Sequence, residues 1–529
     1  MLAIQPSDGF TRYRLCGLLD SALARDSRGR PIDDTPSISI QTGQTVIEAT
    51  GYWVLALQRR ILRILVAVTA GFLSACASLT VTDTTALRAN TMAPLGSDRI
   101  SRDGYRLDAL AASPGAPDLL ILVAMSGGGK RSASFAYGAL KGMRAITVPL
   151  RAGPQPFLRE VDAIAGVSGG SFPAAYYGLY RDQTFDRFET DFLYRDTESS
   201  IWGIYLLPWN WTWLVDPRVG TNDFMERVYD RTMFHGATFN DLQKRGRPVI
   251  SINATDLAYG SPFSFTQESF DLICSDLGVF PLARAVAASN GFPGLFSPIT
   301  LTNRAADCGG REPGWLRRIG DAERRDPLSR LGVSAETAER YLDPTKTRYV
   351  HLIDGGVADN LAMRAGGTMI QSAGEATELR SRGYFRLRRI LVLSIDGQGT
   401  QDTSVAERQA VGGIFSLLGL VSGAQIDRYN FETLVAMTDQ VQGFAQSISR
   451  ARCAEAPTID GARCDDVKGE LIHISLAKLP PSAAQDILLR IPTGLTIARG
   501  DVDLLIAAGE SAIIGSAQLR TFLAGYWPR

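Results

Sequence analysis

An α/β fold is predicted for this 529-residue chain by three stretches of one design. Residues 119–125, 161–167 and 349–354 are apolar runs of strand length, and each empties into glycines: Ser126-Gly127-Gly128-Gly129, Ser168-Gly169-Gly170 and Gly355-Gly356. The first two turns are followed by helical patterns, so strand, glycine turn and helix alternate along the chain. The length suffices for a large core and for two or three domains. Lysine plus arginine equals aspartate plus glutamate, so the formal charge is zero and no basic excess points to nucleic acid. Small molecules, proteins or a membrane surface remain as partners.

Residues 1–53 are polar, mixed and without a sustained period, which predicts disorder. Arg59, Arg60 and Arg63 then precede an apolar run over 64–73, too short to span a bilayer and right for a signal-peptide core. It leads into Leu73-Ser74-Ala75-Cys76, which resembles a bacterial lipobox. That resemblance implies a signal peptide over 54–75, cleavage before Cys76 and lipidation of that cysteine. A start near 54–57 would make 1–53 an upstream segment outside the translated protein. An uncleaved anchor or a buried helix is the other reading of the run. Residues 76–117 are rich in Thr, Ser, Ala, Asp, Gly and Pro and read as a tether. Ala77, where an aspartate can signal inner-membrane retention in similar lipoproteins, favours the outer membrane of a bacterial envelope.

Four further cysteines, Cys274, Cys308, Cys453 and Cys464, fall into two sequence-local pairs. They suit two disulfides in an oxidising compartment, or four buried thiols. His235, His351 and His473 stand apart and no C-x-x-C occurs, so no metal site is expected.

The stretch Gly166-Val167-Ser168-Gly169-Gly170 has the form of a nucleophile elbow: a strand, a strained tight turn with serine at its tip, then a helix. The loop Gly127-Gly128-Gly129-Lys130-Arg131 between strand and helix is suited to hold an oxyanion on backbone amides. It is not a phosphate loop of the G-x-x-x-x-G-K-[ST] type, because Ala124 and Arg131 occupy the required Gly and Ser/Thr positions. In Asp354-Gly355-Gly356 an aspartate stands at a strand tip, where α/β sheets place functional groups, although Asp-Gly also forms ordinary turns. Residues 287–298, Ala-Ala-Ser-Asn-Gly-Phe-Pro-Gly-Leu-Phe-Ser-Pro, are either a rigid loop lining an apolar pocket or a packed loop.

In this order, G-G-G-x-R, G-x-S-x-G, A-x-x-A-S-x-x-x-P-x-x-F-x-P and D-G-G, the motifs resemble the patatin-like phospholipase family over about residues 118–400, with weaker continuity to 480. The resemblance implies a three-layer α/β/α sandwich around a mostly parallel sheet and an acyl hydrolase working through a serine–aspartate dyad without metal or cofactor. It makes Ser168 the nucleophile and Asp354 the base. Gly127, Gly128 and Gly129 become the oxyanion-hole donors. Arg131 becomes a residue that holds the loop and faces substrate phosphate. The substrate implied is a phospholipid or related lipid ester. Two positions depart from the family: Ser126 stands for the usual Asp and Ser132 for a frequent Gly. Neither removes a backbone donor.

A histidine-based triad is the competing chemistry. His351 lies three residues from Asp354, and odd spacing on a strand puts it on the opposite face. The competing non-enzyme reading is a catalytically weak or inactive lipoprotein that binds lipid or a partner protein.

Residues 202–213 hold four of the seven tryptophans and form either an interfacial flap or an inserted helix pair. Insertions are expected near 195–235 and 303–346, the latter on the surface. Residues 249–266 read as a hairpin, with Asn253 and Asp256 as satisfied loop polars. Strands are expected at 389–395 and 471–476, and a buried helix or loop wall at 414–421. A helical extension over 481–529 is expected to pack on the sheet's face.

Overall fold

The computed structural model describes residues 104–107, 110, 116–150, 153–199, 220–309, 311–372, 376–399, 406–407, 409 and 414–526. The signal segment, Cys76, most of the tether and the tryptophan-rich stretch lie outside the described residues.

The strands are β1 (Leu119–Met125), a hairpin of β2 (Thr147–Leu150) and β3 (Gly153–Pro156), β4 (Ala163–Val167), β5 (Val249–Asp256), β6 (Ser261–Ser264), β7 (Ile299–Thr302), β8 (Tyr349–Asp354), β9 (Arg389–Asp396), the short pair β10 (Thr458–Ile459) and β11 (Ala462–Arg463), and β12 (Lys468–Ser475). Eight of them form one sheet in the order β12-β9-β1-β4-β5-β8-β7, with β6 beside β5. From β12 to β5 every pairing is parallel. β8 then runs antiparallel to β5, and β7 antiparallel to β8.

The strand sequences show why the sheet is covered on both faces. A run without polar alternation must bury both sides. In β1, Leu119, Ile121, Val123 and Met125 join one apolar cluster, while Leu120, Leu122 and Ala124 join another. In β9, Leu391, Leu393 and Ile395 separate from Ile390 and Val392 in the same way. Helices cover each cluster. On the first face lie α1 (Gly129–Ala145), α2 (Ser171–Tyr180), α3 (Thr221–Tyr229) and α4 (Leu282–Ser289). On the second lie a helix over Arg364–Ser372 and α5 (Ile414–Cys453), whose Met437, Val441, Phe444 and Ile448 are buried there. The result is the α/β architecture expected from the alternating motifs, a mostly parallel central sheet between helical layers.

The charged stretch 303–346 is largely at the surface and is anchored by a few buried side chains. In its helix Arg330–Leu342 the Tyr341 hydroxyl donates to Asp256 Oδ2 at 2.6 Å, and Asn303 donates to the Tyr341 and Thr347 carbonyls at 2.7 Å each. The Cys274–Cys308 disulfide ties the stretch to the preceding segment, and Cys453–Cys464 closes the end of α5.

The helix α6 (Arg499–Gly515), next to last in the chain, packs on α1. The crossing is made by glycines. A methyl group on Gly138 would stand 2.0 Å from the Ile506 carbonyl, and one on Gly509 would stand 2.1 Å from that of Phe135. Such an approach brings two backbones together as no larger residue allows. Around it Val502, Leu505, Ile506 and Ile513 are buried.

The sign of a Gly→Ala change therefore depends on place. Gly509→Ala should lower stability by about 2–3 kcal/mol through overpacking. Gly443→Ala, in α5 with open space around the missing methyl, should raise it by about 0.5–1 kcal/mol. Chemical denaturation of the two variants tests both signs.

Candidate active site

β1 and β4 are adjacent and parallel, with Ala124 beside Ala165 and Met125 beside Gly166, so the turns that follow them emerge side by side. The turn after β4 places Ser168 at φ 49°, a left-handed conformation that costs a non-glycine residue energy and that the surroundings must enforce. They do so through the backbone. The Ser168 amide donates to Ser289 Oγ at 2.9 Å, and Ser289 Oγ donates to the Asn253 carbonyl at 2.6 Å. A methyl group on Gly169 would lie 2.1 Å from the Gly129 carbonyl, so the serine turn and the glycine loop touch backbone to backbone.

Asp354 ends β8, where antiparallel pairing sets it opposite Ala254 of β5. Ser168 Oγ donates to Asp354 Oδ2 at 2.8 Å, and the Gly356 amide donates to Asp354 Oδ1 at 2.8 Å. The two side chains are buried, each 6% exposed. Burial pushes the Asp354 carboxyl up to about 6, against the opposing pull of the Gly356 amide and the Ser168 hydroxyl. A carboxylate at that value accepts a proton more readily than an ordinary one and is still ionised at neutral pH.

The glycine loop differs from the sequence expectation in one donor. The Gly127 amide is spent on the Asn360 carbonyl at 3.0 Å, so it is not free for a ligand oxygen. The Gly128 and Gly129 amides have no acceptor among the described residues, and neither has that of Gly169. Gly128 at φ 127° and Gly129 at φ 58° hold the loop in a form that L-residues rarely take.

Arg131 holds the loop but does not face outward as expected for a phosphate contact. Its guanidinium is buried, with Nε donating to the Gly397 carbonyl at 3.2 Å and Nη1 to that of Ile491 at 2.9 Å. The two departures from the family pattern fit one another. Ser126 Oγ and Ser132 Oγ lie 3.2 Å apart, Ser132 Oγ donates to the Ser126 carbonyl at 2.7 Å, and Ser126 Oγ accepts the Gly397 amide at 3.0 Å. This hydroxyl pair braces the base of the loop.

The histidines go elsewhere. His351 Nδ1 lies 2.9 Å from Thr300 Oγ1, and His473 Nδ1 lies 3.0 Å from Ser394 Oγ. His235 ends a helical turn at φ 51°. Asn253 bonds the Gly166 carbonyl and Ser264, and Asp256 bonds Tyr341, so these two are held as structural polars.

The loop over 287–298 contributes more than its sequence suggested. Besides Ser289, it brings Asn290 Oδ1 to 3.3 Å from Ser168 Oγ, and the Gly291 carbonyl accepts the Asp354 amide at 2.9 Å. Asn360, six residues past Asp354, spends its side-chain amide on Gln398 at 2.9 Å while its carbonyl holds Gly127. An alternation of small residues ending in Ser-Asn-Gly was the only signal available for the first, and the second had none.

Residues 123–365 match the model of the patatin-like phospholipase family. Among solved structures, human GIVD cytosolic phospholipase A2 aligns with 11% identity and a TM-score of 0.37, over 77% of this chain and 63% of that one. The same human enzyme in complex with methyl gamma-linolenyl fluorophosphonate aligns with 12% identity and a TM-score of 0.34, over 77% and 60%. This chain thus covers less than two thirds of the length of those proteins. No curated protein matches it. Taken with the order of the motifs and the fold around them, the match makes residues 123–365 a patatin-like phospholipase domain.

Proposed function

We propose that the protein is a lipid acyl hydrolase that cleaves carboxylic esters of phospholipids or related lipids through a Ser168–Asp354 dyad. The observation that carries the reading is the 2.8 Å hydrogen bond from Ser168 Oγ to a buried carboxylate, with no histidine between them.

In the first step Asp354 Oδ2 takes the Ser168 hydroxyl proton as Oγ bonds the ester carbonyl carbon. The carbonyl electrons move onto oxygen, and the Gly128 and Gly129 amides, with that of Gly169, donate to the oxyanion. Collapse breaks the ester C–O bond, and the leaving alcohol takes the proton from Asp354. Water then attacks the acyl-Ser168 carbon and gives a proton to Asp354. The second collapse expels Oγ, which takes that proton back, and the fatty acid leaves. No metal or cofactor enters these steps.

The wider setting belongs to the same proposal. Lipidation at Cys76 would hold the domain at a bacterial envelope membrane, on the periplasmic side and with the outer membrane favoured. The Cys274–Cys308 and Cys453–Cys464 disulfides support export to an oxidising compartment. In a lipoprotein-processing bacterium the mature chain should begin at Cys76 and carry its lipid. Intact mass of the membrane fraction, with Cys76→Ala remaining uncleaved, checks this.

A fluorophosphonate probe should label the wild type on Ser168, and both Ser168→Ala and Asp354→Asn should abolish labelling. Labelling that survives Ser168→Ala would remove the basis of the reading. Because the base must be ionised, kcat/KM should rise with pH to a plateau with a midpoint at about 6. A flat profile from pH 5 to 8 would exclude Asp354 as the base.

Asp354 should also cost stability. Its folded-state value lies above its ordinary one, so the native state loses stability as pH rises through that window. Asp354→Asn should therefore match the wild type below about pH 4 and exceed it by on the order of 2 kcal/mol above about pH 6. Denaturation at the two pH values reads the difference.

A further inference from the structure

With the Asn290 carbonyl end facing Ser168, one contact sets two acceptors against each other and one buried hydroxyl proton is left without an acceptor among the described residues. Ser168 Oγ lies 2.8 Å from Asp354 Oδ2 and 3.3 Å from the near end of the Asn290 amide. A serine hydroxyl has one proton, and the carboxylate takes it. A carbonyl oxygen at the second position would face Oγ with lone pair against lone pair. At its far end the Asn290 amide meets the Tyr229 hydroxyl at 3.3 Å. Tyr229 is buried, and burial raises its phenol so that it stays protonated. With an amide N–H pointing at it, the Tyr229 proton has no acceptor among the described residues.

The two ends of an amide have nearly the same shape, so the hydrogen bonds decide which faces which. Turning the amide over removes both faults. The Tyr229 O–H then donates to Asn290 Oδ1, one Asn290 Nδ2–H donates to Ser168 Oγ, and Ser168 Oγ–H donates to Asp354 Oδ2. Each of these three contacts joins a donor to an acceptor.

We propose that Asn290 is a further catalytic residue of this site, donating its amide N–H to Ser168 Oγ while the Tyr229 hydroxyl holds its oxygen. The proposal rests on the reading of Ser168 as nucleophile. It assigns Asn290 two effects. The donated N–H fixes the serine rotamer, so the proton points at Asp354 and one lone pair is left for the ester carbon. As Asp354 draws the proton away, negative charge grows on Oγ and the N–H bond strengthens, so its contribution is larger in the transition state than before it. The placement is built for this. Asn290 is 5% exposed. Its backbone amide donates to the Val286 carbonyl at 3.0 Å and its carbonyl accepts the Phe292 amide at 2.9 Å, so the side chain starts from a fixed position at the end of α4.

The test uses the full chain and the rate of fluorophosphonate inactivation, with kcat/KM on a soluble ester beside it. Asn290→Leu keeps the volume and removes both bonds. Asn290→Asp keeps an acceptor and removes the donor. Both should react about 10–100-fold more slowly than the wild type, while melting temperature and near-UV circular dichroism report the fold separately. The aspartate variant should also shift the acid limb of the rate profile to higher pH, because a second carboxylate beside Asp354 disfavours its ionisation. That shift follows from the added charge alone, so the plateau rates and the Tyr229→Phe variant, which adds no charge, report the donated N–H. Tyr229→Phe removes only the hydroxyl that orients the amide and should slow inactivation by a smaller factor, about 3–10-fold. It serves where Asn290→Leu does not fold.

An Asn290→Asp variant that reacts within about threefold of the wild type would show that an acceptor suffices at this place and would overturn the proposal. A Tyr229→Phe variant at the wild-type rate would overturn it as well. Absence of any Ser168 labelling in the folded wild type is a different failure, since it removes the dyad reading and the donor role together.

Discussion

The contact between two backbone turns governs the site. Gly169 lies so close to the Gly129 carbonyl that a methyl group would stand 2.1 Å from it, and Gly127 lies against Ser168 Cβ. This contact follows from the pairing of β1 with β4, whose parallel register ends both strands at the same edge. Parallel neighbours at a sheet's centre bring their outgoing loops together without further design. One loop then offers free amides and the other offers a hydroxyl. A crossover helix after each strand keeps the two in place, because α1 and α2 both bury their sides against the same apolar cluster. Widening either turn by one side chain would push Ser168 away from the free amides of the glycine loop.

The third component comes from a strand that runs the other way. β8 is antiparallel to β5, and its end brings Asp354 to Ser168 from the opposite direction. Both are buried, so the carboxylate has lost water and received only the Gly356 amide and the serine hydroxyl in exchange. That partial compensation raises its proton affinity without preventing ionisation at neutral pH. On the proposed mechanism, the burial that would make Asp354 a usable base also makes it a weak point of the native state, so function and stability would oppose each other at one residue.

Much of this was legible before any coordinates. Strands β1, β4 and β9 declared themselves as apolar runs, because strands buried on both faces have no polar alternation to blur them. Ser168, Asp354 and the glycine loop stood at the strand ends, where chemistry in such sheets gathers. The details that were not legible depend on partners far away in sequence. Gly127 looked like a donor until the Asn360 carbonyl took its amide. Arg131 looked outward until Gly397 and Ile491, the latter 360 residues on, took its guanidinium. Asn290 sat in a stretch read as a pocket-lining or packed loop, with no role given to its side chain. Local pattern shows which groups are able to bond, whereas tertiary packing decides which bonds they make. The helix over Arg499–Gly515 hid its partner for the same reason. Its apolar face suits a sheet as well as a helix, and only the opposed glycines, Gly138 and Gly509, single out α1.

Those distant partners also change what counts as the site. The family match ends at residue 365, yet the glycine loop is braced from beyond it. The Lys130 amide donates to the Gly494 carbonyl at 2.9 Å, Ile491 takes Arg131, and Gly397 holds both Arg131 and Ser126. Thr496, two residues on, accepts the amides of Thr197 and Glu198 at 3.0 Å each. The segment 491–497 therefore runs over the start of α1 and fastens to the region that leads toward the tryptophan-rich stretch. A loop that must present free amides cannot bond them to anything nearby, so its rigidity has to come from the residues on either side. Ser126 and Ser132 supply it from within the loop, and the C-terminal segment supplies it from outside. On this argument the chain after residue 480 is part of the frame of the candidate site, and the free amides of Gly128 and Gly129 depend on contacts made more than 350 residues downstream.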